Sequence, residues 1–273
     1  MRIHHVLVFS LVCLGALTCG RSPSTLLRKG QSPVFDFPLY VSEGAPGRVW
    51  QYNRDQSRTL ILSSLNDPRG VATDRAGNLY VVEQGAGQLT RFNTVTGVST
   101  VIASGLNTPT VVAVNSFGEA FVAQDGPKNV IRAADQAQIA VFASRPSALT
   151  FGVEDLMIVG LFDSDSVVWN ASGQSAAIND PVGVSTDATG RVYVAEGSSQ
   201  NARIVRYHQR GPTGATTVAD ALSGIAGLAV DPVGNIYAVE QGANRIILIS
   251  YDGQLYSWVT DTLDPQYLAF TQY

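Results

Sequence analysis

Along most of the chain, apolar and polar positions alternate with the two-residue period of half-buried β-strands, and Gly, Pro, Asn and Asp cut the runs short. The pattern recurs as a phrase: Pro or an equivalent, a short apolar run, Asp-x-x-Gly, then a Tyr/Val-rich run ending in Glu. Clear copies occupy residues 68–83, 181–196 and 227–240, and weaker ones start at Pro109 and Pro146. The interval of about 35 to 44 residues is that of one propeller blade.

Each phrase carries the chemistry of a hairpin. The Asp carboxylate bonds backbone amides ahead of it, and Gly77, Gly190 or Gly234 takes the left-handed conformation that closes the turn. A second turn, at Gly85-Ala86-Gly87 or Gly242-Ala243-Asn244, leads into a third strand (89–92, 245–249), and a fourth ends the unit (99–103, 255–260). Four strands per unit predict an all-β protein of four-stranded antiparallel blades. The first strand of a blade lies nearest the axis, where blades converge, so small residues should recur there. Two residues before the turn Asp or its equivalent stand Ala72, Ala113, Thr150, Ser185, Ala229 and Ala269. Two further back stand Gly70, Val111, Ala148, Gly183 and Gly227, with Tyr267 as the exception.

The chain ends set the blade number. Residues 264–270 match the start of the phrase, and its continuation lies at the other terminus, where Leu39-Tyr40-Val41-Ser42-Glu43 matches Leu79-Tyr80-Val81-Val82-Glu83. A C-terminal strand paired with N-terminal strands closes the ring and removes free edges, which predicts a six-bladed β-propeller over residues 37–273.

Composition changes this picture little. Apolar residues make up 45% of the chain and charged residues 15%, which suits a well-buried, turn-rich domain. The net charge of −4 is scattered, with no basic stripe, and this argues against a nucleic-acid partner. Residues 1–20 read as an export signal, with Arg2 followed by an apolar run over 6–17 that is too short to span a bilayer. Ala16-Leu17-Thr18-Cys19-Gly20 resembles a bacterial lipobox, although Leu17 and Thr18 replace the usual small residues. Cys19 is therefore a candidate lipidation site, with ordinary cleavage near Gly20 as the alternative, and residues 21–36 form a tether. Both cysteines, Cys13 and Cys19, fall in the signal, so the domain itself has no disulfide. The expected location is the cell envelope, at the outer membrane or in the periplasm, or the secreted medium, with the domain a monomer.

The blade phrase resembles NHL repeats and, more loosely, the SMP-30/gluconolactonase-like and strictosidine-synthase-like propellers. The resemblance implies the fold and leaves activity open, because such propellers serve as lactonases, lyases and binding platforms. It also implies a ligand face bearing the loops between second and third strands and those entering each innermost strand. The first kind begins at Glu43, Glu83, Gln124, Leu161, Glu196 and Glu240. Together with Arg69 and Asp163, the polar members form the candidate ligand-binding set. Four carboxylates on one rim can hold a cation or act as acid and base, but a feature repeated in most blades reads first as structural, each side chain tying down its own turn.

Metal and catalytic signals are weak. Asp163-Ser164-Asp165-Ser166 offers hard oxygen ligands without the length or closing Glu of a calcium loop. The gluconolactonase-like metal is held partly by Asn or Asp just after the Pro that opens an inner strand. Here those positions are Arg69, Thr110, Ser147, Val182, Ala226 and Gln266, so the usual Ca2+ ligands are not matched and no cofactor is expected. His208 is the single imidazole after the signal, whereas the propeller lyases use several. Trp50, Trp169 and Trp258 read as blade packing, and Asn170-Ala171-Ser172 is a sequon that matters only in a eukaryotic source. The leading expectation is an exported, non-catalytic binding or scaffold protein engaging a protein, polysaccharide or small ligand. The alternative is a hydrolase or lyase acting on a lactone or other small molecule.

Overall fold

The computed structural model describes residues 38–270 except 54, 170–172, 198–199 and 209–212. The expected signal over 1–20, Cys19, the expected tether over 21–36 and the sequon lie outside the described residues.

Among the described residues there are six four-stranded antiparallel sheets. Blade 1 holds β1 (Leu39–Glu43), β2 (Arg48–Tyr52) and β3 (Arg58–Leu62), and blade 2 holds β4 (Pro68–Thr73), β5 (Asn78–Glu83), β6 (Gln88–Asn93) and β7 (Ser99–Ser104). Blade 3 is β8 (Pro109–Val114), β9 (Ala120–Gln124), β10 (Asn129–Arg132) and β11 (Gln138–Val141); blade 4 is β12 (Pro146–Phe151), β13 (Met157–Leu161), β14 (Ser166–Trp169) and β15 (Gln174–Ala177). Blade 5 is β16 (Pro181–Thr186), β17 (Val192–Glu196), β18 (Gln200–Tyr207) and β19 (Thr216–Ser223); blade 6 is β20 (Ile225–Val230), β21 (Ile236–Glu240), β22 (Arg245–Ile249) and β23 (Leu255–Val259). The last strand, β24 (Pro265–Phe270), is the innermost strand of blade 1. It pairs with β1 in the register Leu39↔Phe270, Tyr40↔Ala269, Val41↔Leu268 and Ser42↔Tyr267, as the repeat predicts.

The inner strands β4, β8, β12, β16, β20 and β24 touch in ring order. Their crowding explains the small residues near the axis. A Cβ on Gly70 would lie 2.7 Å from the Val111 Cα, a distance that no side chain tolerates. The core fills the spaces between neighbouring blades. Trp258, for instance, packs against Tyr52 and Tyr237 with ring centroids 5.6 and 5.2 Å apart, and Trp169 meets Tyr207 edge-on at 5.6 Å.

The Asp-x-x-Gly turns form as their chemistry requires. Asp74 Oδ1 accepts the backbone N–H groups of Ala76 and Asn78, both at 2.9 Å, while Oδ2 accepts the Asn78 amide at 2.7 Å and the Tyr80 hydroxyl at 2.9 Å. Burial, with the Asp74 carboxylate beside it, pushes the Tyr80 phenol up to about 12. Blade 3 substitutes both partners: Asn115 receives the Phe117 and Glu119 amides, and Phe121, aligned with Tyr80, has no hydroxyl to place. Blade 4 loses the turn altogether. A 3-10 turn at Val153–Asp155 replaces it, with Glu154 and Asp155 both at positive φ (59° and 54°). The expected Gly-rich turn of blade 6 is likewise a 3-10 turn, Gln241–Ala243, closed by left-handed Asn244.

Candidate functional site

The ends of the second strands form the predicted rim. Glu43, Glu83, Gln124, Glu196 and Glu240 all sit there, and all are buried. Apart from Glu196 Oε2, which has no hydrogen-bond partner among the described residues, their acceptors are used within the blades. Glu43 Oε1 accepts the Leu263 amide at 2.8 Å, and Oε2 accepts the Arg48 guanidinium at 2.5 Å and the Trp50 indole N–H at 2.9 Å. Glu83 accepts the Asn66 amide at 3.0 Å, the Gln88 amide group at 2.8 Å and the Thr90 hydroxyl at 2.6 Å. Gln124 accepts from Asn107 N–H at 2.8 Å, and Glu240 accepts from Ser223 N–H at 2.6 Å and from Arg245. Each carboxylate or amide thus clamps the linker that enters the innermost strand of its own blade. In blade 5 Glu196 is paired with Arg203. In blade 4 the position is Leu161, and Asp163 supplies the acceptors instead, taking the Arg145 amide at 3.3 Å and its guanidinium at 2.9 Å.

Arg145 draws together two acids, Asp125 from blade 3 and Asp163 from blade 4. Its Nη1 lies 3.8 Å from Asp125 Oδ2, and its guanidinium stands 4.8 Å from the centre of the Phe162 ring. Burial raises the Asp125 carboxyl above its ordinary value against the pull of Arg145, while the Arg145 hydrogen bond lowers that of exposed Asp163. Asp165 is left-handed and accepts the Asp180 amide at 2.9 Å, so this acid too holds a linker.

The positions just after the strand-opening residues stitch neighbouring blades. Arg69 Nη1 donates to Gln266 Oε1 at 2.5 Å across the seam between blades 2 and 1. The Thr110 hydroxyl donates to Pro146 O at 3.3 Å, and the Ser147 hydroxyl donates to Pro181 O.

A concavity lies at the other end of the ring, away from this rim. A cup of about 520 Å³ opens where the first strands turn into the second, and none of the seven rim residues lines it. Its wall is made by the final residues of the inner strands, among them Ala72, Ala113, Thr150, Ser185 and Ala229. Its floor is Tyr267. At the same level of the repeat the other blades carry Gly70, Val111, Ala148, Gly183 and Gly227, none of which reaches the cup, whereas the Tyr267 ring does. A Cβ on Gly227 would stand 2.9 Å from Tyr267 Cδ2, so glycine there makes room for the ring. Burial raises the Tyr267 phenol above its ordinary value, and its oxygen has no hydrogen-bond partner among the described residues.

The acids of the cup wall are held by protein donors. Asp155 accepts the Ser116 amide and hydroxyl at 2.7 and 2.6 Å. Asp187 accepts Thr189, the Arg191 amide and the Arg191 guanidinium at 2.6 Å, and Asp231 accepts Val233 and Asn235. Burial acts to raise both turn acids. It is outweighed for Asp187 by the Thr189 and Arg191 hydrogen bonds, leaving that carboxyl lowered, and it prevails for Asp231, where the partner is neutral Asn235.

Other sequence candidates lie apart. His208 is exposed at the end of β18 beside residues 209–212, which lie outside the described residues. Trp169 and Trp258 are buried, and half-buried Trp50 lies beneath the Arg58 guanidinium at 4.3 Å. Sequence reasoning marked Tyr267 as an irregularity but did not identify the cup it floors.

Fold and cavity together define a six-bladed β-propeller with a cup at one end of its axis. No protein-family model and no curated protein matches the sequence. Solved structures do resemble it. One is a chain of a nidogen/laminin complex (TM-score 0.75, 11% identity, 86% of this chain and 98% of that one). Another is a gluconolactonase from Xanthomonas campestris (0.66, 14%, 87% and 90%), and a third is virginiamycin B lyase from Staphylococcus aureus (0.60, 14%, 89% and 95%). At this identity the likeness is one of fold, shared by binding proteins and enzymes alike.

Proposed function

We propose that this is an exported, non-catalytic binding propeller that takes its ligand at the cup. The observation that carries this reading is the state of the acids: Asp155, Asp187 and Asp231 in the cup wall, and Glu43, Glu83 and Glu240 on the rim, spend their oxygens on turn and linker amides. A general acid or base needs a carboxyl group that can reach a substrate proton, and these are committed to holding backbone. The cup is also of a size that small-molecule sites commonly have. The signal-like residues 1–20 and the lipobox-like segment ending at Cys19 support export and anchoring.

The test is a thermal-shift screen of the full chain against glucono-1,5-lactone, common monosaccharides and calcium chloride, run beside a lactone-hydrolysis assay. A ligand at a hundred times its Kd adds about 2.7 kcal/mol of stability. Binding without turnover supports this reading. Hydrolysis above the buffer rate, lost on replacing Asp155 or Asp187 with Asn, supports the hydrolase instead.

A further inference from the structure

The face around the cup mouth carries exposed apolar side chains on rigid turns. Val95 is 84% exposed, Phe117 81%, Tyr251 60% and Val233 46%. The same device presents each of them: the backbone N–H of the apolar residue donates to an Asn or Asp side chain. Val95 donates to Asn93 at 3.1 Å, Phe117 to Asn115 at 3.1 Å, Val233 to Asp231 at 3.0 Å and Tyr251 to Asn235 at 3.0 Å. Entry into an apolar medium therefore leaves none of these four amides without a partner, which lowers one cost of inserting a turn tip. On the loops of the opposite face, Leu263 is the exposed large apolar side chain among the described residues.

The placement of these tips has a second regularity. Val95 and Phe117 belong to blades 2 and 3, and Val233 and Tyr251 to blade 6, so they flank blade 1 on both sides. Blade 1 is where β1 starts, at Leu39, level with Phe270 on this same face. The segment that precedes Leu39, with Cys19 in it, thus joins the domain between the tips of blade 6 and those of blades 2 and 3.

We propose that this face docks on a lipid bilayer, with Val95, Phe117, Val233 and Tyr251 entering the interfacial layer and the mouth of the cup turned toward the headgroups. Tips spread over three blades suit a flat, fluid surface, whereas a protein partner concentrates its energy in one compact buried cluster. Attachment of the N-terminal segment on the same face holds the tips near any membrane that segment enters, which raises their effective concentration there. The docking goes beyond the ligand reading and stands without it, because cup binding is measured in the absence of vesicles.

The experiment uses the full chain with phosphatidylcholine vesicles whose acyl chains are brominated, so that tryptophan in the interface is quenched. F117W, V233W and L263W are each compared with the unsubstituted chain, which corrects for Trp50, Trp169 and Trp258. Added quenching at positions 117 and 233 with none at 263 is the expected result. Absence of added quenching at 117 and 233, or equal quenching at 263, overturns the proposal, including the case in which the tips serve a protein partner. Circular dichroism of each variant, matched to the unsubstituted chain, excludes misfolding as the cause.

Discussion

Glu43 Oε1 accepts the backbone N–H of Leu263 at 2.8 Å, a bond that joins positions 220 residues apart at the seam of the ring. The Glu43 side chain is fully buried and also receives Arg48 and Trp50. Glu43→Ala strands three donors, and the expected loss is about 2–4 kcal/mol, read as a lower urea midpoint. Asp163→Ala, at an exposed position of the same rim, should cost no more than about 1 kcal/mol. Equal losses would mean that the rim is not a set of structural clamps.

Tyr267 carries a hydroxyl that its surroundings do not satisfy. Tyr267→Phe keeps the ring that floors the cup and removes the desolvation penalty, so a gain of about 1 kcal/mol, or roughly 2–4 °C in Tm, is expected. Calorimetry checks this. Gly227→Ala pushes a methyl against the same ring and should cost about 1–3 kcal/mol, a cost that shrinks in a Tyr267→Ala background. Additive effects in that cycle would place the ring elsewhere.

The turn acids give a pH dependence whose sign follows from their environments. Asp187 has its folded pKa lowered, so its contribution is present above the unfolded value of about 3.9 and is lost as pH falls through the folded pKa. Asp187→Asn should therefore cost about 1–2 kcal/mol at pH 7 and much less at pH 2.5. For Asp231 the folded pKa is raised, so its ionised form is a burden near neutrality that protonation relieves on acidification. Urea titrations of Asp187→Asn at the two pH values decide the matter; an unchanged cost would show that the Arg191 pair does not carry the effect.

Much of this architecture was legible because local chemistry and global fold agree. The Asp-x-x-Gly phrase specifies a hairpin at residues 74–77, 187–190 and 231–234, and with the weaker copies at blade spacing it leaves few alternatives. The pairing of the C-terminal strand with the segment Leu39–Glu43 followed from the split phrase alone. The site was less legible. The linker amides that Glu43 and Glu83 clamp lie 220 and 17 residues away, at distances and in directions that spacing does not encode. The cup depends on how far one ring reaches, and the sequence marks Tyr267 only as a departure from small residues. Blade 4 was the hardest to read, since Arg145 gathers Asp125 and Asp163 from loops of different blades.

The cup, the seam and the arc of apolar tips all require β24 to be sealed against β1. Native-state hydrogen exchange of the 265–270 segment reads this directly. Protection comparable to that of β9 and β17, lost only with global unfolding, is the expected result. Exchange of the Ala269 amide, in register with Tyr40, at the rate of an unstructured tail, while the other inner strands stay protected, would contradict a closed ring.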